Sequence, residues 1–137
     1  MKDTFITSMT AIGTGILTAL LGGWDSAMEI LLICMVLDYL TGVGAAIKNK
    51  ELKSSTGYEG LMKKGSIFLI VILAAQIDRI TGNAAALFRT SCAFFFVANE
   101  GLSILENVGA LGIPLPSFFK SILVKMREDN DNKDKTE

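Results

Sequence analysis

The feature that most constrains this chain is the run at residues 27–47, AMEILLICMVLDYLTGVGAAI, which contains no Lys or Arg. At about 1.5 Å per residue, a helix of this length crosses the hydrocarbon core of a bilayer, which is about 30 Å thick. Asp38 lies just past the midpoint of the run. Because a charge at bilayer depth costs about 3 kcal/mol or more, we expect this carboxylate to face protein or water. The run therefore predicts a membrane helix with an acidic group near its centre.

Three more apolar blocks accompany this run, and the charges cluster between and after them. A soluble helical domain would instead distribute charges along the polar face of every helix. We predict an all-α integral membrane protein of helical hairpins. It has four transmembrane helices at about 5–21, 27–47, 65–80 and 84–105 within a domain of residues 1–116, a basic amphipathic helix at 117–127 on the inner membrane face, and a disordered polar tail at 128–137. If the first block lies flat at the interface, three spans remain.

Two groups of small or polar residues are the candidate functional residues. In the second span, Asp38 and Gly42 share a helix face, and the small residues Thr41, Gly42 and Ala46 allow close helix contact. In the fourth block, a polar wedge occupies about 120° of the helical wheel. Its members are Asn99, Glu100, Ser103, Glu106 and Asn107. Both groups are predicted to face either a neighbouring helix or a water-filled lumen, and the residues alone favour neither.

The lysines between the second and third spans predict the topology. They are Lys48, Lys50, Lys53, Lys63 and Lys64. Short basic loops stay in the cytoplasm, and with both termini inside, eleven of the 13 Lys and Arg residues fall on the inner side. The two outer residues are Arg79, expected to pair with Asp78 at the interface, and Arg89, expected to snorkel outward.

The chain has no His, and Cys34 and Cys92 both lie within apolar blocks. These features predict no catalytic site, no metal or other cofactor, and no nucleic-acid partner, so an enzyme is the least favoured class. Two other classes stay open. Asp38 and Glu100 can form a proton or cation relay in a small channel or transporter, or they can lock helices together in a non-conducting scaffold.

Three motifs, in order along the chain, resemble the toxin-secretion/phage-lysis holin family. They are LDYLTG at 37–42, SSTGYEGLMKK at 54–64 and ANEGLSILEN at 98–107, and GIPLP at 112–116 is similar too. The resemblance covers about residues 25–125. Three motifs in the same order make it specific, whereas each motif alone is weak.

The resemblance implies a multi-pass protein of the host bacterial cytoplasmic membrane, encoded by a phage or prophage of Gram-positive type. Such a protein forms homo-oligomers in the lipid bilayer and permeabilises it, so that an endolysin reaches the cell wall or a large toxin leaves. Direct contact with the endolysin or toxin is not required. Under this hypothesis, hydrogen bonds between helices bury Asp38, Glu100 and Glu106 before assembly, and the three acids face the lumen in the oligomer. An antiholin-like regulator is the non-conducting alternative.

Overall fold

The computed structural model describes residues 1–51, 54–119, 121 and 125, and the regular elements in this part of the chain are helices. They are α1 (Lys2–Leu20), α2 (Ser26–Lys48), α3 (Ser54–Ile80) and α4 (Leu87–Ala110), with residues 117–119 also helical. The all-α prediction is confirmed. The predicted amphipathic helix at 117–127 lies mostly outside the described residues, and the predicted tail at 128–137 lies wholly outside them.

Two helices differ from their predicted bounds. α3 begins at Ser54 rather than at 65, which agrees with the capping-box pattern of Thr56 and Glu59, since that pattern predicts a short helix that runs into the third span. α4 begins at Leu87 rather than at 84, because residues 81–86 form the connection between α3 and α4. Within this connection Ala86 has the left-handed backbone conformation (φ 50°), which an α-helix does not continue through.

Two of the four predicted spans have the length and composition of membrane helices. They are Ser26–Lys48 and, within α3, Gly57–Ile80. The threonines and glycines of α1 and the polar residues of α4 lower the hydropathy of those two helices. The all-helical structure with these two apolar helices is consistent with a helical membrane protein, and the spans by α1 and α4 stay predictions.

The core lies where α2, α3 and α4 pack together, with α2 and α3 both against α4. On α2, Met28, Leu31 and Met35 are buried at the i, i+3, i+7 spacing of one helix face. They pack in one cluster with Val71 of α3 and Ala93 of α4. Most other large apolar side chains are exposed, as expected for a surface that lipid covers.

Helix α1 joins this bundle at its C-terminal end. No residue of α1 is buried, and among the four helices it contacts α3 alone. Leu21, directly after α1, is fully buried in the core. From α3, the Gln76 amide donates to the Leu20 carbonyl at 2.9 Å and the Arg79 guanidinium donates to the Ala19 carbonyl. The remainder of α1 therefore extends beside the bundle.

Candidate functional site

Four polar side chains form a mid-bundle cluster where α2, α3 and α4 meet: Asp38, Lys64, Glu100 and Asn107. The Lys64 ammonium donates to Asp38 Oδ2 at 2.7 Å and to Glu100 Oε2. Asn107 Nδ2 donates to Asp38 Oδ1 at 3.0 Å. The three charged side chains are only 10–15% exposed. One ammonium thus joins carboxylates from two other helices.

The cluster lies deep in the bundle. Asp38, Lys64 and Glu100 are each ten residues, or about 15 Å, from the helix end on the same side of the bundle. Because an unpaired charge at this depth is costly, each carboxylate depends on the ammonium that it shares.

Lys64 was grouped with the lysines of a basic loop, but it lies within α3 and faces the two acids, while its role in topology stays a prediction. The preceding residue, Lys63, is exposed. Successive residues on a helix point about 100° apart, so α3 turns one lysine outward and the other toward the two acids. A signal for this position was present in the sequence, since Lys64 has the i, i+3, i+7 spacing of one helix face with Ile67 and Val71, which are both buried. The assignment of Lys64 to a loop left this helical spacing out of the prediction.

Small residues leave room around the mid-bundle cluster. A cavity of about 300 Å³ beside it is lined by Gly42, Ala46, Gly57, Gly60 and Ser103, together with polar cluster members. A Cβ on Gly42 would lie 3.4 Å from Asn107 Nδ2, so glycine allows this close approach. Thr41 contributes its hydroxyl oxygen, which accepts from Asn107 Nδ2 at 3.2 Å.

The predicted polar wedge of α4 is divided between two faces. Glu100, Ser103 and Asn107, at the i, i+3, i+7 spacing, are buried or half-buried against α2 and α3. Asn99 and Glu106 are exposed. The burial of Glu106 expected from the sequence is therefore wrong, because this residue lies on the outer side of the wedge.

The other predicted topology lysines have different surroundings. The Lys48 ammonium donates to the carbonyls of Ala110 (3.2 Å) and Leu111, at the C-terminal end of α4. Cations are favourable at this negative end of a helix dipole. Lys50 follows α2 and is exposed, and Lys53 lies outside the described residues.

A turn-side cluster occupies the opposite end of the bundle and consists of Asp25, Asp78 and Arg89. Arg89 is only 3% exposed, so its predicted outward snorkelling is wrong. Its guanidinium donates to Asp25 Oδ2 at 2.9 Å and to the Gly23 carbonyl at 3.0 Å. These acceptors come from the connection between α1 and α2 and draw the side chain inward.

Asp25 also caps α2, since its carboxylate accepts from the Met28 backbone N–H at 3.1 Å. Partial burial alone would raise the pKa of the Asp25 carboxyl. The Met28 N–H and the Arg89 guanidinium outweigh that effect, so the pKa lies below its ordinary value of 3.8.

Asp78 caps α4 from the end of α3. Its carboxylate accepts from the backbone N–H groups of Phe88 (3.1 Å) and Arg89 (2.8 Å). The residue at the N-cap position, Ala86, has no side chain that can accept these bonds. The predicted pair between Asp78 and Arg79 is absent from the described residues, because Arg79 turns to α1 instead.

Within the described ranges, no group of three or more His, Cys, Asp or Glu residues is placed to hold a metal ion. The contacts observed in both clusters are ion pairs and hydrogen bonds that join different helices and connections.

Comparisons with known proteins agree with the resemblance. The model of the bacteriophage holin family matches residues 15–128. A protein of Bacillus phage phi105 named "Probable holin" is 38% identical over 116 residues, 84% of each chain. An uncharacterized protein of Clostridium perfringens (strain 13 / Type A) is 43% identical over 122 residues, 89% of this chain and 90% of the relative. An uncharacterized 14.9 kDa protein of Clostridium perfringens is 42% identical over 118 residues, 86% and 89% of the two chains.

No solved structure matches the chain. The family match nevertheless covers most of the residues, including every member of both clusters, and the phage relative aligns over most of its own length. The chain belongs to the bacteriophage holin family.

Proposed function

We propose that this protein is a phage-type holin, which oligomerises in the host cytoplasmic membrane and permeabilises it. The lesion then releases an endolysin, or a large toxin, from the cytoplasm. The mid-bundle cluster is the observation that carries the proposal. It holds Asp38, Lys64 and Glu100 at the centre of the bundle, where charges are stable only while they are paired or in water.

The geometry supports two states of the same helices. In the single chain, the Lys64 ammonium neutralises part of the charge and joins three helices. The bonds of the cluster come almost entirely from side chains, so the helices can separate without losing their own backbone hydrogen bonds. Once separated, the faces that carry Asp38, Glu100 and Asn107 need water, which an oligomer supplies along a lumen.

Four spans with both termini in the cytoplasm complete the proposal. The polar residues of α1 lower its hydropathy, but three of its threonine hydroxyls form hydrogen bonds within the helix. Thr7, Thr10 and Thr14 each donate to a backbone carbonyl of the preceding turn at 2.7–3.1 Å. A helix whose hydroxyls are already bonded can enter lipid at lower cost.

One alternative is supported by a specific observation. Because both carboxylates of the mid-bundle cluster are paired with Lys64, the same geometry suits a stable, non-conducting regulator of the antiholin type. The two functions differ in whether the cluster ever opens.

Induction in a bacterium, with and without a co-expressed cytoplasmic endolysin, separates these functions. We expect depolarisation after a lag, with lysis only when the endolysin is present. Unchanged membrane potential and growth at confirmed membrane expression would support the regulator instead. Ion-selective, saturable flux without passage of endolysin would indicate a channel.

A matched pair of variants tests the role of the cluster. Lys64→Gln leaves two buried carboxylates without their cation, so we expect earlier depolarisation. Lys63→Gln removes the same charge from the exposed face of α3 and should keep the wild-type lag. Equal timing of the two variants, at equal membrane expression, would show that the cluster does not hold the closed state.

A further inference from the structure

A second cavity lies between α1, the end of α3 and the connection that leads to α4. Its volume is about 790 Å³, within the range of about 300–1,000 Å³ that is typical of small-molecule sites. Small side chains line much of it, among them Ala11, Thr14, Gly15, Thr18 and Ala75. Because α1 contacts the bundle only near its C-terminal end, this groove continues along the otherwise uncovered side of α1.

Two guanidinium groups line the groove, those of Arg79 and Arg89. Arg89 is nine-tenths or more buried, yet its Nε has no hydrogen-bond partner. This Nε lies beside Gly22, another lining residue, at 3.8 Å from where a Cβ would be. A buried donor without a partner in a native structure points to a water, ion or ligand that completes it.

Of the two charged residues at the groove that form no ion pair within the described residues, Asp78 is buried and Arg79 is exposed. Asp25 pairs with Arg89, and the carboxylate oxygens of Asp78 accept from two backbone amides. Within the described residues, Arg79 has no carboxylate at salt-bridge distance, and its own bonds go to Gln76 and the Ala19 carbonyl. Because Asp78 is buried, the charge that an approaching ligand meets first at the groove is the exposed guanidinium of Arg79.

The residues next to the groove predict that it lies at the level of the lipid headgroups. Trp24, the only tryptophan, is exposed directly after the lining residue Gly23, and tryptophans are enriched at the headgroup level. Arginine recognises phosphate through parallel N–H···O bonds. At this level, the small residues of α1 in the groove are expected to face the hydrocarbon region of the bilayer. An acyl chain can pack against these small residues.

We propose that this groove binds an anionic phospholipid. The lipid phosphate pairs with Arg79 at the mouth, near the unpartnered Nε of Arg89, and one acyl chain lies along α1 and α3. Lipid binding requires that the protein is inserted in a membrane, but it does not require that a pore forms. The lipid-binding proposal can therefore fail while the proposed holin function holds, and the holin function can fail while lipid binding holds.

Quenching of Trp24 fluorescence by brominated lipids tests the lipid class, with the full-length chain in phosphatidylcholine vesicles. We expect brominated phosphatidylglycerol to quench at a several-fold lower mole fraction than brominated phosphatidylcholine. Arg79→Gln should abolish this difference, and Lys63→Gln, at the other end of α3, should retain it. Equal quenching by the two lipids in the wild type would overturn the proposal, as would an unchanged difference in Arg79→Gln.

A second pair of variants tests the groove itself. A Cβ at Gly15 or at Gly13 meets no atom within 4 Å, but only Gly15 lines the groove. Gly15→Leu should therefore weaken the preference for phosphatidylglycerol, and Gly13→Leu should not. Quenching that followed the protein-to-lipid ratio rather than the anionic fraction would mean that a second copy fills the groove, which contradicts lipid binding.

Discussion

The mid-bundle cluster and the turn-side cluster each contain two carboxylates and one buried cation, but they are held in different ways. In the turn-side cluster, Asp78 accepts from two backbone amides and Arg89 donates to a backbone carbonyl. In the mid-bundle cluster, Lys64 bonds only to side chains, one on α2 and one on α4. Backbone bonds tie the first cluster to the helix ends. The second depends on how three helices are placed, which makes it the part able to open while the helices stay intact.

The largest expected effect comes from removing the cation of the mid-bundle cluster. Lys64→Met leaves the carboxylates of Asp38 and Glu100 without their cation, and removing one partner of a buried ion pair costs about 3–5 kcal/mol. The free energy of unfolding in detergent would show this loss. Adding Asp38→Asn and Glu100→Gln to the same chain removes the stranded charges and should restore most of the stability. If the triple variant were no more stable than Lys64→Met, charge pairing would not be the main role of this lysine.

A smaller effect is expected at the turn-side cluster. Asp78→Ala leaves the N–H groups of Phe88 and Arg89 without their acceptor, at a cost of about 1–3 kcal/mol for a buried unsatisfied group. Hydrogen exchange should increase locally, at the first turn of α4. Glu29→Ala, at an exposed acid in the first turn of α2, is the control and should change stability by no more than about 0.5 kcal/mol. Faster exchange throughout the bundle would show that the cap supports more than its own helix.

The smallest effect concerns the charge of Asp25. Because the pKa of this carboxyl is lowered in the folded protein, its charge adds stability above the unfolded pKa of about 3.8, and that stability is lost as the pH falls through the folded pKa. The side chain is about half exposed, so solvent screening limits the gain to about 1 kcal/mol. Thermal unfolding of the wild type and of Asp25→Asn, which keeps the cap, should differ at pH 7 and converge as the pH falls from 3.8 through the lower pKa of the folded protein. A difference that persisted at a pH where the Asp25 carboxyl is fully protonated would show that geometry, and not charge, causes it.

Several features of the fold and site were predictable from local patterns. The 21-residue run around Asp38 predicted a helix, and α2 extends over it. The spacing of Glu100, Ser103 and Asn107 predicted a shared polar face, which the structure places against α2 and α3. These predictions succeeded because the helical period and the length of an apolar run depend only on neighbouring residues.

Two failures concern charged residues near the ends of the predicted spans. Lys64 was grouped with loop lysines, and Arg89 was expected to reach outward, because sequence rules treat such residues as solvated by default. Arg89 is buried and Lys64 is largely shielded from solvent, and each is held by acceptors from other helices or connections. Burial of a charge is decided by a partner, and the partner was not visible in the surrounding sequence.

The amino-acid sequence alone determined the helical class, the apolar runs and the face on which each acid lies, since these follow from residue type and the helical period. The tertiary structure alone decided which charges meet. Asp38 finds Lys64 across 26 positions of chain, Glu100 finds it across 36, and Arg89 finds Asp25 across 64. Contacts over such separations depend on how the helices pack, because a side chain reaches only a few ångströms while the chain between its partners crosses the length of the bundle.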